Sequence, residues 1–129
     1  MNEKKYIIDT IPIPWRRAGL NGKTFYDTQA NEKVNIALSL AHQHGKLPLF
    51  DGPLEIIATF FITIPETKKK ILKEGDWQTE KSDFDNYAKF LADTISGILI
   101  TDDKRISRAV IEKRYSSHPR TEFTIRILK

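Results

Sequence analysis

Ser82-Asp83-Phe84-Asp85-Asn86-Tyr87-Ala88-Lys89-Phe90-Leu91-Ala92-Asp93-Thr94-Ile95-Ser96-Gly97 is the stretch from which the rest of the chain is read. Phe84, Tyr87, Ala88, Leu91, Ala92 and Ile95 fall at i, i+3, i+4, i+7, i+8 and i+11, the period of a helix that lays one face on a core. Gly97 supplies its terminator. Asp85, Lys89 and Asp93 recur every four residues, so they form one ridge turned away from that stripe, where Asp85 and Lys89 reach the same ligand. Ser82 precedes Asp85 by three residues, the S-x-x-D spacing that predicts a capping box. Asp83 converges with Asp85 only if the helix begins between them or just before them, because residues two apart share a side in extended chain and not in a helix.

Beyond Gly97 the run Ile98-Leu99-Ile100-Thr101 predicts a short buried strand that delivers Asp102 and Asp103 at its end. An antiparallel return would carry that end back toward the helix start. Several carboxylates meeting there repel one another unless a divalent cation neutralises them, and oxygen-only ligands suit Mg²⁺. The alternative is that Asp83 and Asp85 cap the helix while Asp102-Asp103 forms a polar turn. Lys89 has a plain reading too, an ion pair with Asp85 or Asp93 at i,i+4.

Outward from this segment, the chain reads as an α+β single domain over residues 1–129, a mixed or antiparallel sheet with two main helices. Tyr6 to Ile13 predicts a strand. Thr28 to His44 predicts a helix with Ala30, Val34, Ala37, Leu38 and Ala41 on one face and Gly45 as terminator. Leu54 to Ile64 is the strongest strand signal. Ile106 to Tyr115 and Thr121 to Leu128 predict two more, with Phe123, Ile125 and Ile127 alternating toward one side. Residues 65–82 show no sustained alternation and read as a long mobile connection carrying Lys68, Lys69, Lys70, Lys73 and Trp77.

A chain of 129 residues, 40% hydrophobic and 29% charged, has room for one domain with its own core. It has no cysteine, which excludes disulfides and thiolate chemistry. No apolar run approaches the ~20 residues of a membrane helix, and no leader pattern opens the chain, so a soluble cytoplasmic protein is expected. Phosphate-cradling glycine motifs are absent, and with them any support for a nucleotide cofactor. His42, His44 and His118 form no zinc pattern. The net charge of +4 suits a polyanion, and its distribution says more than its size. Residues 76–103 hold seven acids, whereas residues 104–129 hold eight bases and two acids. Trp15-Arg16-Arg17 with Lys23, and the Lys68-Lys69-Lys70 run with Lys73, are candidate phosphate contacts, although solvation alone also explains them. Trp77 is either a stacking platform for an unpaired base or an anchor for its loop. Arg105, Arg108, Lys113 and Arg114 offer a second basic path.

Asp83-x-Asp85-Asn86-x-x-Lys89, followed by Asp93 and by Asp102-Asp103, resembles the RusA family of Holliday junction resolvases. Ile11-Pro12-Ile13-Pro14, Arg16-Arg17 and Tyr26-Asp27 resemble that family's N-terminal half, so the likeness covers most of the chain. In one place the sequence departs: Ser82 precedes the first Asp where the family often has a basic residue or proline, and the basic residue, Lys81, stands one position earlier. The resemblance implies that Asp83, Asp85 and Asp103, with Asp102 beside them, are Mg²⁺ ligands and that Lys89 is catalytic. Arg16, Arg17, Lys68, Lys69, Lys70, Lys81 and Lys89 are the expected DNA contacts. It implies a homodimer acting on four-way DNA junctions in recombination and repair. Two other readings remain open, a non-catalytic basic module for branched DNA or RNA and a metallonuclease of broader flap or fork specificity.

Overall fold

A computed structural model describes the backbone of residues 2–17, 19–21, 24–26 and 29–129. Lys23, Asp27 and Thr28 lie outside the described residues, and so does the side chain of Tyr26. The elements run β1 (Glu3–Ile8), β2 (Gly19–Asn21), β3 (Thr24–Tyr26), α1 (Ala30–His44), β4 (Leu54–Thr63), α2 (Phe84–Ile95), β5 (Ile106–Ser116) and β6 (Arg120–Ile127). β2 and β3 form a small ribbon; the main sheet has the order β1-β6-β4-β5. β4 and β5 are parallel and the other pairs antiparallel. Parallel neighbours cannot be joined by a hairpin, and the long β4–β5 connection contains α2. The result is the α+β single domain with two helices that the hydrophobic pattern predicts.

Register sorts the side chains onto two faces. Tyr6, Phe123, Ala58 and Ile111 lie in one row, with Ile8, Thr121 and Phe60 in the next. These residues meet Leu40 of α1 and Tyr87, Leu91 and Ile95 of α2 in one core. Burying each large side chain there contributes about 1.5–3 kcal/mol. Glu55 points to the opposite face. It is only 3% exposed, between Arg108 and Arg126, both of which donate to its carboxylate. Burial works to raise that carboxyl, but the two guanidinium hydrogen bonds outweigh it and hold it below the ordinary glutamate range.

Several expectations are corrected. β1 ends well before Ile13, at Ile8, where its partner β6 begins, Ile8 standing opposite Thr121, and beyond it Pro12 and Pro14 have no N–H with which to resume a ladder. α1 buries Ile36, Leu40 and His44, while Val34 and Leu38 are 57% and 67% exposed. The face was hidden because its last buried position is a histidine. His44 Nε2 donates to the Pro48 carbonyl at 3.0 Å, so Nδ1 accepts from the Tyr6 hydroxyl at 2.6 Å. Burial pushes that hydroxyl up to about 12. The predicted strand at Ile98–Thr101 is instead a tight turn. The N–H groups of Ile98, Leu99 and Ile100 all turn back to the Ile95 carbonyl, around Gly97 at φ +81°, a conformation that suits glycine.

Each border of the sheet is occupied in part without a further strand. On β1 the Gln43 side chain donates to the Ile7 carbonyl and accepts from the Ile7 N–H. Along β5, Gly75 and Gln78 donate to the Tyr115 and Lys113 carbonyls, and Tyr115 donates to Asp76. The segment read as a mobile connection is thus an irregular border bonded to β5. No helix among the described residues is long and apolar enough to cross a membrane.

Candidate active site on helix α2

The chain enters α2 through a fixed collar. Lys113 on β5 donates from Nζ to the carbonyls of Glu80 and Ser82, each at 2.8 Å. Gln78 donates from Nε2 to the Lys81 carbonyl at 3.2 Å, and its Oε1 is buried without a partner. The Lys81–Ser82 peptide is cis. Three successive carbonyls before Asp83 are therefore anchored. The N-cap is Asp83 in extended conformation, not Ser82, and neither side chain makes a cap hydrogen bond. The expected capping box does not form because the helix starts one residue later, with Asp83 and not Ser82 at the cap. Asp83 and Asp85 are exposed, and their carboxylates have no hydrogen-bond or ion-pair partner among the described residues.

Lys89 sits one turn beyond Asp85. Its ammonium lies 3.7 Å from the centroid of the Trp15 ring, a cation–π contact, and pairs with neither Asp85 nor Asp93. Trp15 comes from the proline-punctuated N-terminal segment, whose backbone docks on the helix through Trp15 N–H to the Asn86 carbonyl at 2.8 Å. Asp93 faces Lys33 of α1 at 3.9 Å. Beside this ridge a cavity of ≈ 480 Å³ opens between α2 and β5, lined by Phe84, Ala88, Ala92, Ile106, Ala109 and Ile111, with Asp85 and Lys89 also on its wall. Phe84, expected in the core, is 59% exposed; Phe90 and Thr94 are buried in the helix face instead.

The Asp102-Asp103 pair lies where the tight turn leaves it, at the C-terminal half of α2. A side-chain hydrogen bond with Asp102 is the largest influence raising the Asp103 carboxyl, followed by burial and the charges of Asp102 and Asp93. The Asp102 carboxyl is held down, first by the Lys104 N–H it accepts and then by its bond with Asp103. Asp103 is therefore grouped with Asp102 and Asp93, not with the helix start. Asp85 and Asp93 are eight residues apart, about 12 Å along a helix axis. No three His, Cys, Asp or Glu side chains among the described residues are grouped closely enough to hold a metal ion. The donor chemistry nonetheless suits a hard divalent cation, since every candidate ligand atom is a carboxylate oxygen.

The expected DNA contacts differ in their freedom. Arg16 and Arg17 are exposed, and Arg16 faces Glu32 at 3.9 Å. Lys68 faces Glu80 at 3.8 Å and Lys69 pairs with Glu66 at 2.7 Å, while Lys70 and Lys81 project into solvent. The second basic path is engaged inside the molecule: Arg105 with Asp51, Arg108 with Glu55, Lys113 with the collar, and Arg114 with Glu112. Arg114 also lies 3.7 Å over the Trp77 ring and donates to the Gly75 carbonyl. Trp15 and Lys113 have no signal in the sequence as parts of this site, since their partners are distant along the chain. Asp93 was visible as a member of the ridge.

The family model for endodeoxyribonuclease RusA matches residues 11–126. Uncharacterized protein YqaN of Bacillus subtilis (strain 168) is 29% identical over 116 residues, which cover 82% of this chain and 81% of that protein. The matched region includes Trp15, the whole of α2 and Asp102-Asp103.

Proposed function

The chain belongs to the RusA endodeoxyribonuclease family, and from that premise we propose that it is a Mg²⁺-dependent, structure-selective endodeoxyribonuclease that resolves four-way DNA junctions. The observation that carries this reading is the state of the ridge on α2. Lys89 stands between two carboxylates and is neutralised by neither, its ammonium resting on the Trp15 ring. The i,i+4 ion pair it forgoes is worth only about 0.2–0.5 kcal/mol, and the ammonium left without a carboxylate is available to a phosphate.

As the family resemblance implies, Asp83, Asp85 and Asp103, with Asp102, would supply oxygen ligands to the metal, although here they stand as two groups, one at each half of α2. When bound, Mg²⁺ polarises the scissile phosphate and activates a water. Lys89 offsets the charge that grows on the phosphoryl or leaving oxygen, a contribution that is larger in the transition state than in the bound substrate. Arg16, Arg17, Lys70 and Lys81 grip the backbone of the arms without reading sequence. A four-way junction has two-fold character, and paired nicks need two copies of the site, so the working unit is a homodimer.

The test is incubation of the purified protein with a synthetic four-way junction, with and without Mg²⁺, beside linear duplex and flap controls. Paired nicks confined to the junction in Mg²⁺ are expected. Asp85→Asn should bind the junction and leave it uncut. Near-normal cleavage by that variant sinks the metal-site assignment, and equal cutting of flaps and junctions replaces the resolvase reading with a broader nuclease.

A further inference from the structure

We propose that Gln29 and Trp15 are positioning residues for Lys89, forming a clamp that reaches from the start of α1 to the ridge on α2. The inference rests on the reading of Lys89 as catalytic. Gln29 occupies the N-cap position of α1, yet its side chain caps nothing on that helix. It is fully buried, at 0% exposure, and turns toward the N-terminal segment. There its Nε2 donates to the Pro14 carbonyl at 2.8 Å and its Oε1 accepts from the Arg16 N–H at 3.1 Å. The one amide thus brackets Trp15 from both sides.

Trp15 itself donates to the Asn86 carbonyl in the first turn of α2. Three consecutive backbone groups, Pro14 C=O, Trp15 N–H and Arg16 N–H, are therefore tied to two different helices. A primary amide buried this completely is tolerated only when its hydrogen bonds are made, so Gln29 fixes the local path of the chain and is fixed by it. Prolines at positions 12 and 14 restrict that path further. What the clamp holds still is the indole ring 3.7 Å from the Lys89 ammonium. The ring gives the lysine a resting place and keeps it away from Asp85 and Asp93. Lys89 then meets a phosphate from a defined direction, with no ion pair to break.

The experiment compares Gln29→Met, Gln29→Glu, Trp15→Leu, Trp15→Phe and Lys89→Ala in three readouts. These are the single-turnover cleavage rate at saturating junction, the junction Kd, and the NMR signal of the Lys89 ε-methylene, which the indole ring current shifts upfield in the free protein. Gln29→Met should slow cleavage about tenfold or more, as small misplacements of catalytic groups do, with Kd nearly unchanged and the upfield shift reduced. Gln29→Glu keeps an acceptor for Arg16 but sets a buried carboxylate oxygen against the Pro14 carbonyl, so its rate should fall at least as far as that of Gln29→Met. Trp15→Phe should retain much of the rate and Trp15→Leu should not. In a Lys89→Ala background, Gln29→Met should add little, because the two act through one contact.

Parallel losses of rate and affinity in the Trp15 pair would overturn the proposal and make Trp15 a DNA contact. An unshifted Lys89 signal in the wild type, or full additivity of Gln29→Met with Lys89→Ala, would overturn it as well. Normal cleavage by Lys89→Ala would instead remove the catalytic reading beneath it, while the NMR shifts still decide whether the clamp positions the lysine. If Gln29→Met does not fold, the Phe and Leu variants at Trp15 answer the question by themselves.

Discussion

Replacing Lys113 with methionine tests the collar directly, since methionine keeps most of the apolar stem and removes the ammonium. Two charge-assisted hydrogen bonds are lost, to the Glu80 and Ser82 carbonyls at 2.8 Å. A hydrogen bond involving a charged group is worth about 1.5–3 kcal/mol when shielded, and about 0.5 kcal/mol is a fair value for the solvent-facing bond to Glu80. Because the bond to Ser82 is itself only part-buried, the lower end of that range applies and the sum is about 2 kcal/mol of stability. For a chain of this size that corresponds to a fall in Tm of about 6–10 °C. Cleavage should suffer more than stability alone requires, because Ser82 adjoins Asp83 and the start of α2 loses its tie to β5. We expect a single-turnover rate reduced about tenfold or more, with junction Kd and its salt dependence unchanged, since the ammonium is turned inward. Thermal unfolding, single-turnover kinetics and a salt titration of binding decide the matter. An unchanged Tm together with a log K against log salt slope smaller by about one unit would show that Lys113 contacts a phosphate, and the collar would lose its cause.

Leu40→Ala should lower unfolding free energy by about 2–5 kcal/mol in urea, whereas Leu38→Ala should stay within about 0.5 kcal/mol; comparable losses would mean that α1 presents another face to the sheet. The Glu74 carboxyl is held below the ordinary glutamate range, chiefly by the Ser116 hydroxyl and then by the Ser117 N–H. A depressed acid stabilises the fold above its unfolded-state pKa and loses that contribution as pH falls through the folded-state value. Acid unfolding of Glu74→Gln should therefore lack part of the wild-type decline below the ordinary glutamate range, and identical acid limbs would refute the assignment. Changing Lys68, Lys69 and Lys70 together to Ala in the Asp85→Asn protein should reduce the salt slope of junction binding by about one unit for each lysine that touches a phosphate. No change in slope would place the DNA path elsewhere.

α2 was legible because its buried face, Tyr87, Leu91 and Ile95, consists of large apolar residues at helical spacing. Leu54 to Ile64 announced β4 by length and β-branched content, and Phe123 and Ile125 announced the inner face of β6 by alternation. α1 hid its orientation. It carries two possible stripes, and the one that packs ends in His44, which a hydrophobic pattern counts as polar until its two hydrogen-bond partners are known. The turn at residues 97–101 misled for a related reason: Leu99 and Ile100 are fully buried but sit in a loop that folds on the helix end, and burial without periodicity does not separate strand from turn. The candidate site was legible as a set of acids and one lysine along α2. Its supports were not. Trp15, Gln29 and Lys113 act through contacts that depend on tertiary register, and nothing local marks them.

The treatment of the sheet's two borders limits how copies of this protein can meet. Ile7 at one margin already shares its backbone groups with the Gln43 amide, and the other margin is bonded to residues 75–78. Unsatisfied strand margins invite cross-chain β-pairing, the usual route to uncontrolled aggregation. At Ile7, Lys113 and Tyr115 that route is obstructed. Any contact made across those positions must use side-chain surfaces, where affinity is tuned residue by residue.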